Sequence, residues 1–280
     1  MKPILYSFFG LLLAQNVLVA QALTCSPEDR QLFEAKITAL VPQEDRTMGE
    51  TMVYVGKSFL GTPYVAKTLE VGPTETLVVN LQGLDCTTFV ENVLALSSML
   101  HDKQTAFTDF TDHLETIRYI DGKMNGYASR LHYFSEWIAN NAKKGLVMDV
   151  TGELGGKEIT KDINFMSTHR HLYPFLADDS AFDKIKASEN YLNDQAICVL
   201  AQDQITQNEH LIQTGDIIAL ATSMNGLDVT HTGLALKMAN GRVHLLHAST
   251  VGEVVISKVP LVDYLKNIKH NTGIMVARPL

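Results

Sequence analysis

Cysteine is scarce in this chain of 280 residues, which has only Cys25, Cys86 and Cys198. A dense disulfide framework is excluded, and because three is an odd number at least one thiol stays unpaired. Clusters of positive charge are missing as well. The 23 Lys and Arg are outnumbered by 31 Asp and Glu, and nowhere do cations gather as phosphate-backbone binding requires, so nucleic acid is excluded as a partner. Past the first 25 residues no apolar run approaches the length of a membrane span, and the apolar part of that leader is too short and too interrupted for one. Internal repeats, low-complexity tracts and Pro/Gly/Ser-rich linkers are absent, which leaves one domain over residues 23–280 as the simplest organisation. Against these absences stands a hydrophobic content of 46%, enough to bury one large core or two modest ones.

Residues 1–22 read as an export signal, with the periplasm or cell envelope as the expected location. Lys2 supplies the positive start, Ile4 to Leu13 is mostly apolar, and Ala20-Gln21-Ala22 offers the small-x-small cleavage pattern. A lipid anchor on Cys25 fits less well, because Thr24 and Ala22 stand where a lipoprotein signal wants a very small residue and a leucine. In an oxidising compartment paired cysteines form disulfides, so the odd thiol of an exported protein is a candidate reactive group.

Ser26-Pro27-Glu28-Asp29 is a capping box with proline at the first helical position, and Leu32, Phe33, Ile37 and Leu40 follow at helical spacing. Thr47-Met48-Gly49-Glu50 repeats that signal ahead of Met52, Val55 and Phe59, with Gly61-Thr62-Pro63 as the stop. The short strand TLVVNL then turns through GLD into a helix that carries Cys86 at its start and Phe89, Val93, Leu96 and Leu100 as its apolar stripe. The helical period holds from about 105 to 145, through Phe110, Leu114 and Ile117 and then SRLHYFSEWIANN. Beyond it the period switches. LVMDVT, INFMST, AICVLA, DIIALAT, VTHTGLAL, RVHLLHAS, GEVVIS and GIMVAR read as short strands, the last five as an antiparallel meander. Helices first and strands later predict an α+β fold.

A thiol is a useful nucleophile only as thiolate, and the N-terminus of a helix lowers its pKa, so Cys86 stands where chemistry is favoured. It needs a base, and two strands offer His231 and His247. A cysteine, a histidine and a polar residue that orients the histidine form a nucleophilic triad. The residues alone leave the other reading open: Cys86 lies three positions before Phe89 and could be the first rung of the apolar stripe, and a single histidine on a strand is commonly structural. His169-Arg170-His171 lacks a third and fourth ligand for zinc, so no metal site is expected. Arg130, Tyr133 and Trp137, spaced three and four apart, either present a stacking surface and a carboxylate-binding guanidinium to a substrate or leave Trp137 as an anchor in the core.

GTPYVAK, LDCTTFVENVL, TGDIIAL, HTGLAL and LLHAS, in that order, resemble successive landmarks of the NlpC-type papain-like cell-wall hydrolases: cysteine helix, histidine strand, polar residue on the next strand. SRLHYFSEWI and the long segment between Cys86 and His231 are similar to the N-acetylmuramoyl-L-alanine amidase-like branch of that superfamily, and the likeness runs from about residue 48 onward. The resemblance implies a papain-like α+β fold, its N-terminal helices packed on an antiparallel sheet, with a mostly helical insertion over about 105–195. It implies Cys86 as nucleophile, His231 as general base and acid and His247 as the orienting third member, with Tyr64 and Asp85 lining the site and no metal or organic cofactor. Thr87 stands where the superfamily commonly has serine, next to the substrate. The partners implied are peptidoglycan fragments, muropeptides. Three activities remain open: an amidase cutting between N-acetylmuramic acid and L-alanine, a γ-D-glutamyl endopeptidase or acyltransferase on the same fold, and a non-catalytic wall-binding module. With Cys86 kept as the free thiol, any disulfide would join Cys25 to Cys198.

Cooperation between His231 and His247 is a question of turn length, because side chains on a strand alternate faces. A two-residue Asn240-Gly241 turn would send the two histidines to opposite faces. A three-residue loop of Ala239, Asn240 and Gly241, with Gly241 left-handed, puts them on one face and turns His244 away, so an odd-length loop or a compensating bulge is expected.

Overall fold

The computed structural model describes residues 22–40 and 46–280, so all but the last residue of the predicted export signal lies outside the described residues. Each capping signal opens a helix. Ser26 Oγ accepts the Asp29 N–H at 3.0 Å ahead of α1 (Pro27–Leu40), and Thr47 and Glu50 form the reciprocal cap of α2 (Met48–Lys57). A short parallel pair, β1 (Leu23–Cys25) with β2 (Leu77–Val79), precedes α3 (Cys86–His101), α4 (Phe107–Arg118) and α5 (Phe134–Lys143). The chain continues through β3 (Val147–Asp149), β4 (Lys157–Ile159), α6 (Phe165–Thr168), α7 (Asp179–Asn193), β5 (Ile197–Ala201) and α8 (Ile205–Asn208). It ends with β6 (Ile217–Thr222), β7 (Val229–Lys237), β8 (Val243–Ala248), β9 (Val254–Ile256), α9 (Leu261–Lys266) and β10 (Asn271–Pro279).

The fold is α+β, built on an eight-stranded antiparallel sheet of order β4-β5-β10-β6-β7-β8-β9, with β3 paired to β10. The predicted five-strand meander is corrected: β6 to β9 run as a meander, but β10 returns past α9 and inserts between β5 and β6. Its side chains explain the place. Met275 and Ala277 join one core while Ile274 and Val276 join the other, and a strand buried on both faces belongs inside a sheet. The first core unites Val55, Phe89, Val93 and Leu96 of α2 and α3 with Ala219, Leu234 and Leu246. The second packs Leu261 and Leu265 of α9 against Ile218, Leu220, Ala235 and Leu245.

The segment 105–195, expected to be mostly helical with short strands from LVMDVT onward, differs from that reading in three ways. Helix α5 starts at Phe134, because residues 127–129 form a tight turn and Arg130 bridges to Tyr119 instead of continuing a helix. INFMST is not a strand: Thr168 N–H bonds the Asn164 carbonyl, closing the helical turn α6, and short apolar runs do not separate the two states by periodicity. β3 and β4 join the main sheet, so the segment is anchored into it at two places. The conditional pairing of Cys25 with Cys198 is not formed. All three cysteines are free, Cys25 lying on β1 and Cys198 on β5 of the other sheet. Among the described residues no helix is long and apolar enough to cross a membrane.

Candidate active site

Cys86 is the first residue of α3, and the cap that starts the helix fixes it there. Asp85 Oδ1 accepts both the N–H and the hydroxyl of Thr88 at 2.8 Å, while the Asp85 N–H donates to Thr88 Oγ1 at 2.9 Å. One oxygen of the predicted site carboxylate is thereby committed to the backbone.

The histidines are set by the hairpin. Lys237 pairs with Val243, Met238 N–H donates to the Arg242 carbonyl at 2.8 Å, and Gly241 has φ 79°, so the loop is the three-residue form with its left-handed glycine. His231 Nε2 lies 2.6 Å from His247 Nδ1. His244 leaves from the other face and donates from Nδ1 to the Ser257 carbonyl at 2.7 Å. Gly233 makes room for the pair, since a Cβ there would stand 2.8 Å from that of His247.

Cys86, Thr87, His132, Asp228, His231 and Thr232 line one cavity of about 110 Å³. Tyr64 does not line this cavity but neighbours Cys86, its N–H donating to the Gly252 carbonyl at 2.7 Å; burial, then Cys86 and Asp85, pushes its hydroxyl up to about 12. Tyr264 of α9 meets His247 edge-on with ring centroids 5.3 Å apart, and burial with the nearby Cys86 raises its hydroxyl too.

The protonation pattern differs from the expected thiolate. Burial, and secondarily the Asp85 carboxylate, pushes the Cys86 thiol up, against the opposing pull of the Thr232 backbone and hydroxyl and the Thr87 hydroxyl. Although it is near the thiol, the Thr232 hydroxyl makes no hydrogen bond of ordinary length to protein. Burial, reinforced by His247, lowers His231 to about 3, and burial lowers His247 to about 4. At neutral pH the group is a thiol beside two uncharged imidazoles. For His231 to offer a lone pair at Nδ1, its Nε2 must carry the proton and donate to His247 Nδ1, which puts the His247 proton on Nε2.

The buried imidazoles make acid stability testable. His132 is likewise lowered to about 3, by burial and then by Arg130, whereas an unfolded imidazole titrates near 6.5. Between about pH 4 and 6.5 the unfolded chain binds the extra protons, so stability rises with pH across that window and is fully present above it, by up to about 1.4 kcal/mol per pH unit for each imidazole. The buried carboxyls of Asp228 and Glu136, which are raised, work the other way and blunt the slope. Urea midpoints should fall as the pH is lowered from 6.5 to 4; a flat or rising midpoint contradicts this account.

The aromatic and guanidinium face proposed for substrate is built into the protein instead. Trp137 is 0% exposed and stacks on Phe134 with ring centroids 4.8 Å apart. Tyr133 is 3% exposed and donates to Glu189 at 2.7 Å, so the cavity wall it joins offers no open ring face. Arg130 is 8% exposed, its Nε and Nη2 donating to the two Glu75 oxygens at 2.9 and 2.6 Å. Stacking by Trp137 and carboxylate binding by Arg130 are therefore corrected to core packing and an internal ion pair. Sequence reasoning missed His132, Asp228, Thr232 and Tyr264. Asp228 and Thr232 flank His231 closely enough to be found by inspection of its strand, but nothing in the local pattern of His132 or Tyr264 marks them.

Residues 54–274 match the family described as AmiA-like, N-acetylmuramoyl-L-alanine amidase-like. A crystal structure of an N-acetylmuramoyl-L-alanine amidase from Bacteroides uniformis is similar at TM-score 0.78 and 40% identity, over 83% of this chain and 99% of that one. A Bacteroides fragilis protein provisionally assigned as a xylanase matches at TM-score 0.74 and 41% identity, over 80% of this chain and 98% of that one. A Legionella pneumophila protein at 22% identity and TM-score 0.67, over 90% of this chain and 93% of that one, shares the fold. No curated protein matches the chain. With the family match spanning most of its length, the chain belongs to the N-acetylmuramoyl-L-alanine amidase-like family.

Proposed function

We propose that the protein is an exported cysteine amidase of papain-like, NlpC-type design that cuts muropeptides between N-acetylmuramic acid and L-alanine. The observation that carries the reading is the convergence of Cys86, at the start of α3, and His231, itself hydrogen-bonded to His247, on one cavity wall. The thiol is neutral at rest, so its proton passes to His231 Nδ1 as sulfur attacks the lactyl carbonyl. The Cys86 backbone N–H, free at the helix start, and the Tyr64 hydroxyl receive the oxyanion. As the tetrahedral species collapses, the C–N bond breaks, His231 returns the proton to the departing L-alanine amine and a thioester remains. Water, deprotonated by His231, then attacks that carbonyl and the C–S bond breaks, restoring the thiol. His247 keeps the His231 proton on Nε2 and spreads the charge that His231 gains. No step calls for a metal or organic cofactor.

Two observations favour this over its rivals. An endopeptidase must grip the free ammonium of an N-terminal L-alanine, and Asp85, the carboxylate next to Cys86 in the chain, spends one oxygen on the α3 cap. A glycosidase needs two working carboxylates. In the cavity Asp228 accepts backbone N–H groups at both oxygens, from Val229 and Ser135 at 2.7 Å each. A paired digest of N-acetylmuramoyl-tripeptide and free tripeptide tests the reading. Mass spectrometry should find the sugar-linked substrate cut and the free tripeptide intact; release of L-Ala-γ-D-Glu from the free peptide alone would make the protein an endopeptidase.

A further inference from the structure

His132 lies in the segment between α4 and α5, yet its ring helps to line the cavity that holds Cys86 and His231. Its Nε2 is 2.9 Å from the Tyr127 carbonyl oxygen. A carbonyl can only accept, so Nε2 carries the proton and Nδ1 is left as a lone pair. The tautomer is further held by ring contact: the imidazole and Tyr127 have centroids 4.5 Å apart, and the Tyr127 hydroxyl is tied to Glu70 at 3.2 Å. Among the described residues Nδ1 takes no hydrogen bond. The ring stays uncharged, because burial and the Arg130 guanidinium beside it both oppose protonation. An uncharged acceptor on the wall of a site, left unpaired by the protein, is available to a donor on a bound molecule.

We propose that His132 Nδ1 accepts a hydrogen bond from an amide N–H of the bound muropeptide, making this residue a substrate contact supplied by the insertion. The inference rests on the amidase reading for the identity of the ligand. An uncharged acceptor matches a neutral donor, and a muropeptide offers three at or near the scissile bond: the acetamido N–H of the sugar, the scissile N–H itself and the first peptide N–H beyond L-alanine.

Two substitutions separate a substrate contact from a structural tether. Asparagine puts an oxygen acceptor where Nδ1 stands but loses the donor to Tyr127, whereas glutamine keeps a donor at the Nε2 position and loses the acceptor. Binding of N-acetylmuramoyl-tripeptide is measured calorimetrically in a Cys86→Ala background, so no turnover is needed. His132→Asn should weaken binding by less than about 3-fold and His132→Gln by about 10-fold or more, the size of one lost hydrogen bond. The reverse order, or no effect from either, overturns the proposal. In case a variant fails to fold, the protein with its own His132, labelled with 15N at histidine, gives an independent reading. The Nδ1 resonance should move upfield on ligand addition, and an unmoved resonance overturns the proposal. D-lactyl-tripeptide, which lacks the sugar, tells the donors apart. Discrimination that persists with it assigns an N–H on the peptide side, the scissile one or the next, and discrimination confined to the sugar-linked ligand assigns the acetamido group. Failure of the amidase reading is seen separately, as a wild-type protein that binds the muropeptide but does not cut it while the two variants still show this discrimination.

Discussion

Cys86→Ala is expected to lower kcat/KM for N-acetylmuramoyl-tripeptide by about 10³-fold or more while leaving the fold intact. The substitution removes one sulfur at the first turn of α3 and leaves the Asp85–Thr88 cap that starts the helix untouched. Circular dichroism and the melting temperature should therefore stay near those of the parent protein. Alkylation should inactivate the parent and EDTA should not. Because burial and Asp85 hold the thiol in its neutral form, the alkylation rate should climb steeply with pH above neutrality rather than reach a plateau below it. A protein that is inhibited by chelator and restored by zinc would exclude the cysteine mechanism.

Arg130→Ala is the second large effect, and it falls on stability. The guanidinium meets both oxygens of Glu75, and the Tyr119 hydroxyl donates to the same carboxylate at 2.7 Å. The Glu75 side chain is 2% exposed, so removing Arg130 strands a charge in a dry site at a cost of about 3–5 kcal/mol. Arg130→Met combined with Glu75→Gln, which removes both charges, should recover much of that loss. Urea unfolding of the three proteins measures it. A loss below about 1 kcal/mol accompanied by a large rise in KM would return Arg130 to the substrate-contact role that its spacing suggested.

The parts of this protein that were legible in its sequence are those governed by local chemistry. Ser26 and Thr47 each announce a helix because a cap is satisfied within four residues. The face shared by His231 and His247 followed from the length of one turn, since strand periodicity leaves only two answers. Arg130, Tyr133 and Trp137 stay open between substrate surface and core in the sequence, because helical spacing says which residues lie together, not whether their partner is solvent or Glu75, Glu189 and Phe134. The place of β10 was hidden for a related reason: adjacency in sequence favours a meander, and only the demand for apolar contact on both faces moves the strand inward. The lowering of His231 and the raising of Cys86 come chiefly from burial in the folded chain, which no local pattern around either residue displays.

Asp228 brings these distant elements together. It sits in the connection that leads into β7, and its Oδ2 takes the N–H of Ser135 in the first turn of α5, whose own cap position, Tyr133, supplies no side-chain acceptor. The residue at the mouth of the histidine strand thus completes a helix that belongs to the inserted segment. Mechanically, the two are latched. Any displacement of the α5 N-terminus relative to β7 has either to break this hydrogen bond or to carry the start of the strand that holds His231 with it.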